Sequence, residues 1–215
     1  MHYLGLNARW RPETPAGVLM GAWNRTSHAE ERMVARWRLW SMRWVGLVRN
    51  VMLGRDGLDR ARLLDTVARV GGSGVRSYLT TGNVTFDAGA KEVDDLSRRL
   101  EVELSRVVSR PTMVAIRQHT WLRDLVANDL FAGFEAEECE FEVAFLRRAG
   151  PPIDPRSLPT TGRTRLVAIF ERELASARPR SGPARPHVNK VLETASGEAA
   201  TARGWSTLCR IAADP

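Results

Sequence analysis

The residues of this sequence best equipped for chemistry gather around "SYLTTGNVTF", residues 77–86. Thr81 supplies a hydroxyl and Asn83 an amide, Tyr78 adds a phenol, and Gly82 lets a ligand approach the backbone. Arg49 ends the first expected strand, and Arg203 lies in "TARGWSTLCRI" at 201–211. Two guanidinium groups with hydroxyl and amide donors make a kit for holding a phosphate or a carboxylate. A plain turn competes with that reading. Gly82 takes positive φ in a two-residue Gly82-Asn83 connection, and Asn83 tolerates the position after it. The turn explains both residues at no further assumption and leaves Thr81 and Arg203 over. Trp205, by contrast, reads as a packing residue of a C-terminal helix capped by Thr201.

Covalent catalysis has little to work with. A threonine nucleophile needs a base within hydrogen-bond reach and a third group to orient that base. The histidines His2, His28, His119 and His187 all lie outside these motifs, His119 opening a helix and His187 sitting in a Pro-rich linker. Cys139 and Cys209 read as small hydrophobes, too far apart for a zinc spacing or a disulfide framework. Neither a metal site nor a cofactor is indicated. "GGSG" at 71–74 joins a helix to a strand, the reverse of the order in a phosphate-binding loop.

The elements that must position these residues follow from periodicity. "RWVGLVRN" (43–50) reads as a buried strand, and a helix follows Asp56 with Leu58, Ala61, Leu64, Val67 and Ala68 at helical spacing. "VRSYLT" and "VTFDA" form a hairpin, residues 91–108 a second amphipathic helix, and "TMVAI" a fourth strand. The order strand-helix-strand-strand-helix-strand is that of a ferredoxin-like βαββαβ unit, here over 42–117. Residues 118–215 read as a second, shorter α/β unit with a C-terminal helix. It opens with a helix at 118–128, then has strands at 141–148 and 163–172, and suggests a degenerate copy of the first unit. The fold class is therefore α+β.

Residues 1–41 stand apart. They carry Trp10, Trp23, Trp37 and Trp40 without strand alternation, and a helix is expected from Ser27. They read as an extension, poorly ordered or part helical and dispensable, with Met42 as an alternative start. The chain of 215 residues has a net charge of +7, nearly all of it arginine, since Lys occurs only at 91 and 190. Six Arg against three Glu fall in residues 1–41, which leaves the rest close to balance. A nucleic-acid footprint needs a localised basic patch, and none is legible. No apolar run is long enough for a membrane span and no signal peptide opens the chain, so the expected location is the cytoplasm.

Four pieces in order carry a resemblance: "WVGLVRNVMLG", "LLDTVARVGGSGVRSYLTTGNVTF", "NDLF" at 128–131 and "TARGWSTLCRI". Together they resemble the bacterial domain-of-unknown-function family 1697, over about residues 43 to 213. "SYLTTGNVTF" is similar to the family's Tyr-x-x-Ser-Gly-Asn-Val-x-Phe, with Thr81 in place of the Ser. "TARGWSTL" is similar to its Thr-x-Arg-Asn-Trp-x-Thr, with Gly204 in place of the Asn. After the first strand, Arg49 to Arg55 keep the family's Arg and one Gly and replace another Gly and an Asn. The resemblance implies tandem ferredoxin-like units and implies no assigned activity, substrate or cofactor. The expected function is a binding module for a small anionic ligand, a nucleic acid or a protein partner. The alternative is an enzyme acting on a small anionic substrate between the two units, with Arg49, Tyr78, Thr81, Gly82, Asn83 and Arg203 as the site residues.

Overall fold

A computed structural model describes residues 41–158, 165–181 and 187–214. The extension expected over 1–41, with its helix from Ser27, lies outside the described residues except for Ser41.

The first half runs β1 (Ser41–Val48), α1 (Arg60–Arg69), β2 (Ser73–Tyr78), β3 (Asn83–Gly89), α2 (Val93–Val107) and β4 (Val114–Gln118). Its antiparallel sheet has the order β2-β3-β1-β4. Apolar residues at helical spacing on α1 (Leu63, Val67) and α2 (Leu96, Leu100, Leu104) pack on one face of the sheet, against Trp44, Val84, Phe86 and Ile116. Burying such stripes is what holds short helices of modest intrinsic stability in place.

The second half follows α3 (His119–Ala127) with β5 (Cys139–Phe145), a 3-10 turn at Pro155–Ser157, β6 (Arg165–Ile169), β7 (Glu173–Pro179), α4 (Val188–Ser196), β8 (Thr201–Gly204) and α5 (Trp205–Ala212). Its sheet order, β6-β7-β5-β8, repeats that of the first sheet position for position. Leu47 pairs with Asn83 and Ala115, while Phe145 pairs with Glu173 and Thr201. The same register makes Trp44 the counterpart of Glu142, and Arg117 that of Arg203. Each fourth strand runs straight into a helix, β4 into α3 and β8 into α5. The inner faces of both sheets share one core with these two helices, built on Val45, Leu47, Leu122, Val143, Phe145, Leu208 and Ile211.

Three sequence expectations are corrected. The hairpin between β2 and β3 is not a two-residue connection: residues 79–82 form it, with Leu79 and Gly82 at positive φ, and Asn83 is the first residue of β3. Thr201 does not cap the last helix, since it opens β8 and Gly204 takes the cap position. Residues 173–179, read as no strand, form β7 between β6 and β5.

Candidate functional site

The centre of the candidate set is Arg203. Its neighbour across β5 is Val143, a core position, so the side chain points between the sheets and is buried. Every donor of its guanidinium is used. Nε donates to Asn83 Oδ1, Nη1 to Thr201 Oγ1 at 2.7 Å and Ala202 O at 2.8 Å, and Nη2 to Val48 O and Thr81 O, each at 2.8 Å. No carboxylate is among these partners. Burial pushes the guanidinium down to about 10, so it stays charged at neutral pH. Arg203 is thus a buried, fully bonded and unneutralised cation.

Asn83 is held from both ends. Its Oδ1 accepts from Arg203, while its Nδ2 donates to Tyr78 O and Thr81 Oγ1, each at 3.0 Å. Gly82 sits at φ +67, and a Cβ there would run into Val51 Cγ2. Thr81, Gly82, Asn83 and Arg203 therefore come together, as a hydrogen-bonded joint between the halves.

The other two candidates are used elsewhere. Arg49 donates from Nη2 to Glu193 Oε1 at 2.7 Å and from Nε to Ala200 O at 2.9 Å. Burial would raise the Glu193 carboxyl, but hydrogen bonds from Lys190 and Arg49 hold it below its ordinary value. Tyr78 faces a different cluster, beside Thr85, where Asp214 accepts from Arg76 at 2.7 Å and Arg43 at 3.1 Å. Burial raises the Tyr78 hydroxyl first, and its bond to Asp214 adds to that.

What opens to solvent at the joint is a polar groove of about 350 Å³. Asn50 and Thr81 line it from the first half; Glu142, His187, Asn189 and Thr207 line it from the second. The first turns of both α4 and α5 contribute to its wall, and neither helix has a side-chain N-cap: His187 and Gly204 make no capping bond. Backbone N–H groups at such ends carry partial positive charge. His187 Nδ1 lies 3.1 Å from Glu142 Oε1. Sequence reasoning missed Glu142, His187, Asn189 and Thr207. A usable signal existed for one of them, because alternation in "CEFEVAF" sets Glu142 opposite the Phe141-Val143-Phe145 face.

A second, shallower concavity of about 560 Å³ lies along α2, lined by Arg106, Arg110 and Arg147. These arginines pair with Glu103, Asp56 and Glu101, so the surface is not a free basic patch. Among the described residues no group of acidic, histidine and cysteine side chains could hold a metal ion. None of the described helices is long and apolar enough to cross a membrane.

Comparison with known proteins gives a family and a fold. A family model described as a protein of unknown function, DUF1697, matches residues 42–168. The fold is similar to that of a conserved bacterial protein, SP0830 from Streptococcus pneumoniae, with a TM-score of 0.59 and 13% identity. That likeness covers 80% of this chain and 97% of the other, and at such identity it speaks for the fold alone. Among curated proteins none matches.

Proposed function

We propose, for a chain that belongs to the DUF1697 family, that it binds a small anionic ligand in the groove between its two halves. The observation that carries this reading is the buried charge of Arg203. With its donors spent on neutral groups, it places a positive charge in the groove wall to which no carboxylate is bonded. Because the guanidinium itself is buried, its field is screened less than that of a surface charge. The uncapped first turns of α4 and α5 add donors of the same sign. Binding is then by field and backbone donors, not by the arginine fork that the sequence suggested.

A nucleic acid has less to rest on, because Arg43, Arg49, Arg76, Arg106, Arg110 and Arg147 are each held by a carboxylate. One observation favours the enzyme instead: His187 and Glu142 form a base with an orienting carboxylate, beside the hydroxyl of Thr207. Among the described residues no hydroxyl is bonded to that imidazole. Thr81 Oγ1 is engaged with Asn83, and Thr201 Oγ1 with Arg203.

The test is an NMR titration of the protein with inorganic phosphate, beside the Asn83→Asp variant. Asp at 83 supplies Arg203 with the carboxylate that Arg117 already has in Glu173 at the equivalent place. Phosphate is expected to shift the amides of residues 188–190 and 205–207 in the natural protein. In N83D the binding is expected to weaken about tenfold, the loss of one close charge contact. Phosphate shifts absent from those amides, or unchanged affinity in a folded N83D, would sink the reading.

A further inference from the structure

By the repeated sheet order and register, the groove has a counterpart in the first half, and that counterpart is filled. Glu142 lines the open groove near the N-terminus of α4. In the first half Trp44 holds the equivalent strand position, near the N-terminus of α2. There the guanidinium of Arg148 lies over the Trp44 ring, 5.3 Å from its centroid, and pairs with Asp94 in the first turn of α2. Arg148 is the counterpart of Asn50, since each stands two residues beyond the equivalents Val48 and Leu146, both of which bond the turn before the third strand. One copy of the architecture therefore carries its own cation. The other has a short amide, Asn50, in that place, and an open space.

The carboxylate facing that space is under-partnered. Among the other described residues the largely buried carboxylates are each held by an arginine: Glu101 by Arg147, Glu173 by Arg117, Glu193 by Arg49, and Asp214 by Arg43 and Arg76. Glu142, with its side chain only 17% exposed, has no such partner among the described residues. Its contact is His187, whose side chain is 58% exposed. Taking a carboxylate from water is costly unless a charge-assisted bond replaces the lost hydration. An imidazole that is mostly in solvent and not permanently charged is a weak replacement.

We propose that Glu142 receives a cationic group of the ligand, so that the groove takes a small zwitterion: an α-amino acid whose carboxylate meets the N-termini of α4 and α5 and whose ammonium meets Glu142. The proposal rests on the anion-binding reading above and narrows it. Asn50 and Glu142 are then the residues that make this groove a receptor while its counterpart is closed by Arg148. His187 competes with the ligand for Glu142.

The experiment compares three probes on the full chain by NMR titration: the free L-amino acids one at a time, their Nα-acetyl derivatives, and inorganic phosphate. At least one free amino acid is expected to bind about tenfold or more tightly than its acetylated form, which keeps the carboxylate and loses the charge. Glu142→Gln is expected to erase that preference, and His187→Ala, an exposed change, to enlarge it. Equal affinity for free and acetylated forms would overturn the zwitterion and leave the anion site standing. Binding of phosphate without binding of any amino acid would overturn it in the same way. If none of the probes binds, both readings fall together. His187→Ala keeps the question open to measurement should Glu142→Gln disturb the fold.

Discussion

Arg203 and Arg117 do the same work in opposite directions. Arg203 leaves the last strand of the second half and bonds Val48 O, Thr81 O and Asn83 in the first. Arg117 leaves the last strand of the first half and bonds Leu146 O, Arg172 O and Glu173 in the second. Each also reaches the carbonyl just before itself, Ala202 or Ile116. A truncation such as Arg203→Met removes a cation and with it the donors to the Asn83 amide, the Thr201 hydroxyl and the Val48, Thr81 and Ala202 carbonyls. A buried polar group left unsatisfied costs about 1–3 kcal/mol, and urea unfolding of R203M is expected to show a loss of at least that order. Arg203→Lys should recover only part of it, because an ammonium lacks the planar fork that fits these acceptors. A full recovery with lysine would mean that charge, not geometry, holds the joint. At this scale the sequence told half the story. Arg203 stood out as unexplained by packing, but its partners in the first half are 120 and more positions away and no local pattern names them.

The elements were legible where a long apolar stripe specified them. The helix expected at 91–108 is α2 at Val93–Val107, and the helix at 118–128 is α3 at His119–Ala127. Two short strands were not. "ELASARP" is poor in strand formers, and it becomes β7 because the sheet surrounds it on both sides. "TARG" is four residues of β8 whose register comes wholly from β5. The groove was hidden for a related reason, since Glu142 and His187 lie 45 positions apart and meet only where the start of α4 comes beside β5. One element also carries a pH signature. Asp214 follows α5 and ties it to β1 and β2 through Arg43 and Arg76. Burial would raise its carboxyl, but bonds from Tyr78, Arg76 and Arg43 outweigh that and hold it at about 2. A carboxyl whose folded value lies below its unfolded value of about 3.9 stabilises the protein above that value and stops doing so as the pH falls through the folded one. Acid titration of stability should therefore show a gap between the natural protein and Asp214→Asn near neutrality. The gap should close between about pH 4 and pH 2, and a gap that persists below that range would exclude an electrostatic tie.

For the described part of the molecule, the repeated sheet order and the shared core between the inner faces argue for one cooperative unit. The clasps at Arg117 and Arg203 join the halves at two places, and Arg49–Glu193 and Arg147–Glu101 repeat the exchange on the outer faces. Unfolding followed by far-ultraviolet circular dichroism and by tryptophan fluorescence is expected to give coincident transitions, with Trp44 in one half and Trp121 and Trp205 in the other. Two separated transitions would show that the halves are held more loosely than their hydrogen bonds suggest.

The long reach of Arg203 has a consequence for the chain as it is made. Asn83 and the turn before it leave the ribosome well ahead of their partner, which is 120 residues further on. At synthesis rates of about 5–20 residues per second, that interval is roughly 6–24 seconds. Through it, the Val48 and Thr81 carbonyls and the Asn83 amide have only water, or a chaperone, to bond. The first half is born with its last fastening missing, and residue 203 arrives to close a joint whose other side has been waiting since residue 83.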